Sequence, residues 1–236
     1  MALGNKTLDD LLTPISEQLG HFKVPESVEV PEWEFRAERV TDGKSHAQHV
    51  DMFVEEAEKV RVQVSRCSRE NLASCIAEIV GKGVPEEGGP CTVICAGDER
   101  FAKAGVYDAI KAQNLVTKVG VWEPERGGAN VDEALTATYG LTYAVAGIAE
   151  TGTIVQPTSP RCGRAVSLLP LAHIAVIDAS SIAPTMREIL DIYAADGGQL
   201  PSQICFISGP SATADIELVR VEGVHGPMYV YYVVVE

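Results

Sequence analysis

Short apolar runs alternate with amphipathic segments over most of the chain, beginning near Ser45. The runs at residues 91–96 and 173–178 are short and rich in β-branched side chains, which is typical of buried strands. Because strands that alternate with helices form crossover units, the pattern predicts an α/β fold with a mostly parallel sheet. In the first amphipathic segment the apolar side chains have helical spacing: Val50, Phe53, Val54 and Ala57.

The same reasoning assigns the remaining elements. Further strands are predicted at residues 60–64, 116–122, 143–149, 153–156, 204–208 and 228–235. Further helices are predicted at residues 68–83, 107–113, 131–139, 163–169 and 184–195. An additional helix at residues 7–20 precedes a stretch rich in Pro and Glu, which predicts an arm. We therefore divide the chain into an N-terminal helix and arm, residues 1–44, and an α/β domain, residues 45–236.

The formal net charge of the 236-residue chain is −14, and this acidity excludes some classes of partner. Sequence-independent binding to nucleic acid or to anionic lipid requires stripes of basic side chains, so neither partner is predicted. The sequence has no leader-like pattern and no apolar run long enough to cross a bilayer. We therefore expect a cytoplasmic protein without a membrane span.

The six cysteines follow none of the usual metal-binding spacings. Cys91 and Cys95, the closest pair, fall on one predicted strand, where four residue steps separate them by roughly 13 Å. Because this is too far for both to bind one ion, no zinc or iron–sulfur site is predicted, and the cysteines are interpreted as buried thiols. The chain also lacks the Gly-x-Gly-x-x-Gly pattern of dinucleotide-binding folds, so no cofactor is predicted.

One stretch of the sequence predicts an anion-binding turn. A strand-like run ends at Gly209 and Pro210 and is followed by SATADIE at residues 211–217. This pattern predicts a strand, a tight loop and a helix start, and the amide N–H groups at a helix start attract anions. Ser211 and Thr213 are therefore candidate ligand-binding residues together with the Gly-Pro pair, although such residues are also ordinary helix caps.

Three blocks of sequence together resemble one family. They are AETGTI at residues 149–154, GRAVSLLP and HIAV within residues 163–176, and GPSATADIE and GVHGP within residues 209–227. In this order they resemble the LUD domain, the family of lactate utilization protein C. The resemblance covers residues 45–236 and is most specific in the last third of the chain.

This resemblance implies both a fold and a pathway. The implied fold is a three-layer α/β/α sandwich like that of ribose-5-phosphate isomerase, glucosamine-6-phosphate deaminase and the CoA transferases. The implied role is in the oxidation of L-lactate to pyruvate beside two partner proteins, at least one of which carries iron–sulfur clusters. Because this chain lacks cysteine motifs for such clusters, the resemblance implies that it is the cluster-free component.

Ligands of open parallel sheets bind outside the carboxyl ends of the strands, and several polar residues follow predicted strands. Glu150, Ser211, Asp215 and His225 are expected to converge on one crevice there. Glu150 is a candidate catalytic base or nucleophile, and alternatively a structural turn residue. His225 lies between glycines and is a candidate proton carrier, or a loop histidine bonded to backbone. Asp215 contacts the ligand, or is only a partner of the helix dipole.

Four more residues complete the predicted ligand site. Thr151 donates its hydroxyl either to a ligand or to its own turn, which Gly152 closes. Gly226 bends the loop at the predicted proton carrier. Arg164 suits a carboxylate or a phosphate, and alternatively pairs with Asp178 or Glu150 inside the fold.

These observations lead to one main hypothesis of function and two alternatives. The main hypothesis is a cluster-free component of an L-lactate-oxidising system that binds a small anionic ligand and a redox partner carrying iron–sulfur clusters. The first alternative is a free-standing enzyme of the isomerase or CoA-transferase type that uses Glu150. The second is a non-catalytic interaction module whose tight loops are structural.

Overall fold

The computed structural model of the chain describes two compact units, Met1–Arg39 and Val40–Glu236. In the first unit, helix α1 spans Leu8–Gln18, where the apolar spacing predicts a helix. Residues 21–38 of the predicted arm lie outside the described residues. The described residues are 8–20, 39–85, 89–195, 200–213 and 221–236.

Helices and strands alternate through the second unit. The helices are α2 (His46–Lys59), α3 (Leu72–Gly81), α4 (Glu99–Lys103), α5 (Val106–Lys111), α6 (Gly128–Thr136), α7 (Ala165–Leu168) and α8 (Met186–Ala195). The strands are β1 (Gln63–Cys67), β2 (Cys91–Cys95), β3 (Val116–Val121), β4 (Tyr139–Tyr143), β5 (Ala146–Ile148), β6 (Thr153–Pro157), β7 (Ala172–Asp178), β8 (Ile182–Ala183), β9 (Ile204–Ile207), β10 (Ala212–Thr213), β11 (Val221–Glu222) and β12 (Tyr229–Val235). None of the helices in the described part of the chain is long and apolar enough to cross a membrane.

Six strands form a central sheet in the order β1-β12-β7-β4-β2-β3. Every neighbouring pair in this sheet runs parallel. Parallel strands require crossover connections, and these place helices on the faces of the sheet. The mixed α/β fold with a mostly parallel sheet that the sequence pattern predicts is therefore confirmed.

Apolar cores lie on both faces of the central sheet. On one face, α3 and α5 contribute Leu72, Ile76 and Ile110 to the core. On the opposite face, α2 packs through Phe53, whose ring stacks on that of Tyr232 with 5.7 Å between centroids. Each of these five side chains is almost completely removed from water. Such burial of large apolar side chains is the main stabilising contribution to a fold of this kind.

A second sheet, in the order β8-β5-β6-β9, continues from the end of β4. The single strand predicted at residues 143–149 is wrong, because the chain changes sheets within it. The amide of Ala144 still donates to Val176 in the central sheet, whereas the amide of Val145 donates to Val155 in the second sheet. Residues 144–149 are all apolar or glycine, so no polar residue marks the change.

The helix predicted to begin after Ser211 is wrong over the residues that are described. Ala212 and Thr213 form strand β10, which pairs antiparallel with Glu222 and Val221 of β11. The small and hydroxyl-bearing residues that favour helix caps also favour turns and short hairpins, so the pattern did not separate the two. Residues 214–220, including Asp215, lie outside the described residues.

The helix predicted at residues 131–139 differs from α6 at both ends. The helix ends at Thr136, and Ala137 is already extended with ψ of 140°. The amide of Thr138 then donates to the carbonyl oxygen of Thr92 beside β2. This backbone hydrogen bond brings the chain into the central sheet, so that Tyr139 begins β4 instead of ending a helix.

Candidate functional site

The strand order creates a crevice at the carboxyl edge of the central sheet. From β2 the chain passes to β3 on one side, whereas after β4, on the other side of β2, the next strand of this sheet is β7, farther from β2. Connections that leave in opposite directions open a crevice between the carboxyl ends of two strands, where open parallel sheets bind ligands. A cavity of about 330 Å³ lies there, and we call it the edge cleft. Its lining includes Gly97, Asp98, Arg100, Tyr143, Gln156, Arg161 and Cys162.

Gly97 allows a close approach of two backbone segments at the end of β2. Its N–H donates to the carbonyl oxygen of Arg161 at 2.7 Å. A Cβ at this position would lie 2.6 Å from the carbonyl oxygen of Trp122, which is closer than atoms in a packed interior approach one another. The missing side chain therefore lets the Arg161 segment lie directly against the rim of the cleft.

Asp98 follows Gly97 and is paired with Arg100. Its Oδ1 accepts the backbone N–H and the Nε of Arg100, both at 2.9 Å, and its Oδ2 accepts Nη2 at 2.6 Å. Burial opposes ionisation of Asp98, but the hydrogen bonds from Arg100 outweigh it and hold the pKa of the carboxyl below its ordinary value. The pair thus forms one wall of the cleft in which each charge is already compensated.

Tyr143, at the end of β4, connects this pair to a second acidic residue. The guanidinium carbon of Arg100 lies 3.4 Å from the centroid of the Tyr143 ring, which is a cation–π contact. The Tyr143 hydroxyl donates to Asp178 Oδ1 at 2.8 Å, and Arg69 Nη2 donates to the same oxygen at 2.6 Å. Burial and the neighbouring carboxylate raise the pKa of Tyr143 to about 12, so the phenol stays protonated near neutral pH.

Arg161 lies in a tight turn at the mouth of the edge cleft. Ser159 and Cys162 exchange backbone hydrogen bonds of 2.9 and 3.0 Å across this turn, and Pro160 occupies the first corner, where proline is favoured. The Arg161 side chain is exposed. Within the described ranges its guanidinium has no acidic partner at ion-pair distance. Arg161 is therefore a cation that lines the cleft and is available to an anion.

Gln156, on β6, is the buried polar side chain of the edge cleft. It is only 6% exposed. Its Nε2 lies 3.3 Å from the carbonyl oxygen of Pro157 and 3.7 Å from Cys162 Sγ, and both contacts are long. Its Oε1 is buried without a hydrogen-bond partner among the described residues. Buried amide oxygens are nearly always hydrogen-bonded in folded proteins, so this atom indicates a missing donor.

Cys162 completes the lining as a neutral thiol. Burial and the nearby charge of Asp98 raise its pKa to about 12. Because the thiolate is the reactive form of cysteine, this side chain is a poor nucleophile near neutral pH. No trio of His, Cys, Asp or Glu side chains is arranged to hold a metal ion in the portion of the chain covered by the description.

Glu150 and Thr151 lie in a 3-10 turn, Ala149–Thr151, and not in the edge cleft. The Oε1 of Glu150 accepts the N–H of Met186 at 3.2 Å, at the first residue of α8. The Thr151 hydroxyl is 2.7 Å from that of Thr153, which is itself 2.6 Å from the Ser208 hydroxyl. Glu150 Oε1 and the Thr151 hydroxyl therefore have partners inside the fold, and a role of either residue in catalysis or binding stays a prediction.

Gly152 and Gly209 both pack against the end of α2. A Cβ on Gly152 would lie 2.2 Å from the backbone nitrogen of Ala57, and the residue has a left-handed φ of +58°. A Cβ on Gly209 would lie 2.6 Å from the carbonyl oxygen of Val60. These positions require glycine for packing, so close contact with the helix explains both residues without a ligand.

The backbone around Ser211 is not open to an anion in the way the sequence suggested. The N–H of Ser211 donates to the carbonyl oxygen of Pro227 at 2.9 Å, and its carbonyl oxygen accepts the N–H of Gly223. Pro210 is buried, and Thr213 belongs to β10 instead of a first helical turn. The expected cluster of free amides on a helix dipole is therefore wrong at the described residues.

His225 and Gly226 lie beside this segment, at the amino edge of the central sheet. A Cβ on Gly226 would be 3.1 Å from that of Ser211. Two residues later, the N–H of Met228 donates to Leu171, immediately before the first residues of β12 and β7. Strands of seven residues separate this edge from the carboxyl edge by about 20 Å. The expected convergence of Ser211 and His225 on a crevice at the carboxyl ends is therefore wrong.

Arg164 makes neither of the ion pairs that its sequence position suggested. Its Nη1 donates to Oε1 of Gln203 at 3.0 Å, and the side chain is exposed. Asp178 is bound by Arg69 instead, and Glu150 by the start of α8. The change arises because two segments distant in sequence supply the partners, which the local pattern does not show.

The residues that line the edge cleft are not among those predicted from the sequence as a site. Two local signals were available. The run AGDER at residues 96–100 follows a buried strand with a glycine and an acidic residue, and SPRC at residues 159–162 has the form of a turn with proline at its first corner. Only the strand order shows that both segments reach the same crevice.

Comparison with known proteins places the chain in a family. The LUD domain model matches residues 50–235, and the chain therefore belongs to the LUD domain family. It is similar to lactate utilization protein C of Bacillus velezensis, with 34% identity over 96% of this chain and 95% of the relative. Lactate utilization protein C of Bacillus subtilis has the same identity and coverage. The uncharacterized protein YkgG of Escherichia coli is 32% identical over 90% of each chain.

A solved structure supports the fold independently of these sequences. The crystal structure of a DUF162 family protein from Deinococcus radiodurans matches with a TM-score of 0.55. The match covers 82% of this chain and 99% of that one, at 21% sequence identity. This likeness shows a shared α/β architecture. The more specific similarity to ribose-5-phosphate isomerase and the CoA transferases stays a prediction.

Proposed function

We propose that this chain is a subunit of an L-lactate-oxidising system. The observation that carries the proposal is membership of the LUD domain family together with near-full-length similarity to proteins named lactate utilization protein C. Full coverage matters, because a shared domain alone transfers a fold more reliably than a role. In this role the chain binds a small carboxylate and associates with a redox partner.

The edge cleft is the place where we propose that the carboxylate binds. It lies at the topological switch point, and Arg161 offers a guanidinium without an acidic partner in the described ranges. A planar guanidinium binds a carboxylate through two parallel hydrogen bonds, which orients as well as attracts the ligand. The segment Gly209–Thr213, predicted as an anion site, lacks the helix start and the free Ser211 amide on which that prediction rested.

Electron transfer is assigned to the partner under this proposal. Cys91 and Cys95 lie four residues apart on β2, and the described His, Cys, Asp and Glu side chains include no group of three arranged to hold a metal ion. This arrangement supports a chain that holds no iron–sulfur cluster of its own, and no step of the reaction is derived through one here. The clusters would belong to the associated protein.

Growth experiments test the pathway assignment. Deletion of the gene from its host should abolish growth on L-lactate while leaving growth on pyruvate, the product of the oxidation, unchanged. The wild-type gene supplied in trans should restore growth on lactate. Normal growth of the deletion strain on lactate would reject the assignment.

A second experiment tests the partner. The tagged chain should be isolated from lactate-grown cells together with a protein whose iron and acid-labile sulfide content identifies bound clusters. The complex should re-form from the two purified proteins with a defined stoichiometry. Purified components that do not associate at micromolar concentration would remove the redox partner from the proposal and leave the growth result intact.

A further inference from the structure

Two unpaired groups of opposite chemistry line the edge cleft. The Oε1 of Gln156 is a buried acceptor that lacks a donor among the described residues. Arg161 is a permanent cation, and no acidic side chain among the described residues forms an ion pair with it. Both residues are next to Cys162: Arg161 precedes it in the chain, and Gln156 Nε2 lies 3.7 Å from Cys162 Sγ. The cleft therefore offers an acceptor and a cation within one small volume.

The orientation of the Gln156 amide follows from its neighbours. The opposite orientation would place Oε1 against the carbonyl oxygen of Pro157, where two acceptors would repel each other. Nε2 is held only by two long contacts. Because little holds the carboxamide and such terminal torsions have broad preferences, the amide is able to adjust to a donor that enters the cleft lined by Gln156.

We infer that the edge cleft binds a short 2-hydroxy acid. The carboxylate of the ligand pairs with the Arg161 guanidinium, and its neighbouring hydroxyl donates to Gln156 Oε1. A 2-hydroxy acid carries both groups on adjacent carbon atoms and is small enough for a cavity of about 330 Å³. The ligand hydroxyl is thereby the donor for Gln156 Oε1, and the ligand carboxylate is the anion for Arg161.

The other charges around the cleft favour this class over larger anions. Arg100 is committed to Asp98 and to the Tyr143 ring, and Asp98 is compensated by Arg100. A phosphate ester carries more charge than one guanidinium compensates, and the carboxylates of Asp98 and Glu99 line the same cavity. Among the described lining residues, a monocarboxylate matches the charge of Arg161, and a carboxylate without the hydroxyl leaves Gln156 Oε1 unpaired.

This inference deepens the proposed function, because it names the class of ligand at the same site. The class comes from the two unpaired groups, and only the choice of L-lactate within it depends on the proposed function. The two can fail separately. Growth on lactate can require the chain even when the purified protein binds no 2-hydroxy acid, and the cleft can bind a 2-hydroxy acid in a protein that growth on lactate does not require.

The first test is an NMR titration of the full chain with L-lactate and with propionate, which differs by the absence of the hydroxyl. L-lactate should bind about tenfold more tightly, because propionate leaves a buried acceptor without a partner. Equal affinities would overturn the assignment of Gln156. Absence of binding by L-lactate at concentrations of tens of millimolar would overturn the inference as a whole.

Three variants locate the two contacts. Gln156→Met should reduce the affinity for L-lactate to that for propionate, and should leave propionate unchanged. Arg161→Ala should weaken both ligands about tenfold or more, because it removes the shared carboxylate contact. Arg187→Ala, an exposed arginine on α8 outside the cleft lining, is the matched control and should change neither affinity. A Gln156→Met protein that still prefers L-lactate, or an Arg161→Ala protein with unchanged affinity, would overturn the corresponding contact.

Discussion

Replacing Gln156 with methionine should make the protein more stable. The side chain is only 6% exposed, and its Oε1 has no hydrogen-bond partner in the described structure. Burial of an unpaired amide oxygen costs about 1–3 kcal/mol relative to the hydrated unfolded chain. Methionine has a similar length and volume and carries no polar atom that needs a donor.

The contacts of Gln156 that methionine cannot make contribute little to stability. The Nε2 contacts of 3.3 and 3.7 Å are longer than good hydrogen bonds, so their removal costs about 1 kcal/mol at most. The net gain in the free energy of unfolding is therefore about 1–2 kcal/mol. For a folded unit of this size, that gain raises Tm by about 2–8 °C.

Urea unfolding followed by circular dichroism measures this difference, with calorimetry for Tm. Thr142→Val is a suitable control, because the Thr142 hydroxyl lies 2.9 Å from Nε2 of the fully buried His173 and its removal leaves that nitrogen unpaired. This control should lose about 1–3 kcal/mol, so the two substitutions of buried polar side chains should have opposite signs. A loss of stability in Gln156→Met would refute the argument that its Oε1 is unsatisfied.

Three further predictions concern other parts of the molecule. Gly152→Ala should cost about 2–4 kcal/mol in urea unfolding, because its Cβ would meet the Ala57 backbone and its φ of +58° disfavours a side chain; a loss below about 1 kcal/mol would contradict this packing. Burial lowers the pKa of His173 to about 3, so only the unfolded state binds a proton at this residue between about pH 6.5 and pH 3. The free energy of unfolding should therefore decrease by about 1.4 kcal/mol for each unit by which the pH is lowered through that window. His173→Gln should remove this slope from the pH dependence of unfolding. Glu150→Ala should cost about 1 kcal/mol, because it removes the acceptor at the first residue of α8, and it should still restore growth on L-lactate; loss of growth with normal stability would instead favour the alternative in which Glu150 is catalytic.

Much of the fold was predictable because it depends on local pattern. Residues 174–177 form a continuous apolar run, and they lie in the centre of the sheet as part of β7, where both faces are covered. Helix α2 follows the spacing of Phe53 and Ala57 and begins after a capping box formed by Ser45 and Gln48. Such features depend on residues a few positions apart, so a sequence contains them in full.

The candidate site was less predictable, because its parts come together only through strand order. Residues 96–100 follow β2, Tyr143 ends β4, and Arg161 lies in a turn after β6. The polar residues predicted as a site from the sequence, such as Ser211 and His225, also follow strand-like runs. They lie at the opposite edge of the sheet. The sequence pattern indicates where a strand ends, but it does not indicate which strands are neighbours in the sheet.

By itself, the sequence determined the class of fold, the main elements and, through three blocks of residues, the family. These properties follow from hydrophobic spacing and from short motifs, which are local along the chain. Tertiary structure alone decided that Gln156 is left without a hydrogen-bond donor and that Arg161, distant from Arg100 in sequence, lines the same cleft. The physical reason is that hydrogen bonds and ion pairs act over a few ångströms in space, so the chain must be folded before the pairing of each group is decided.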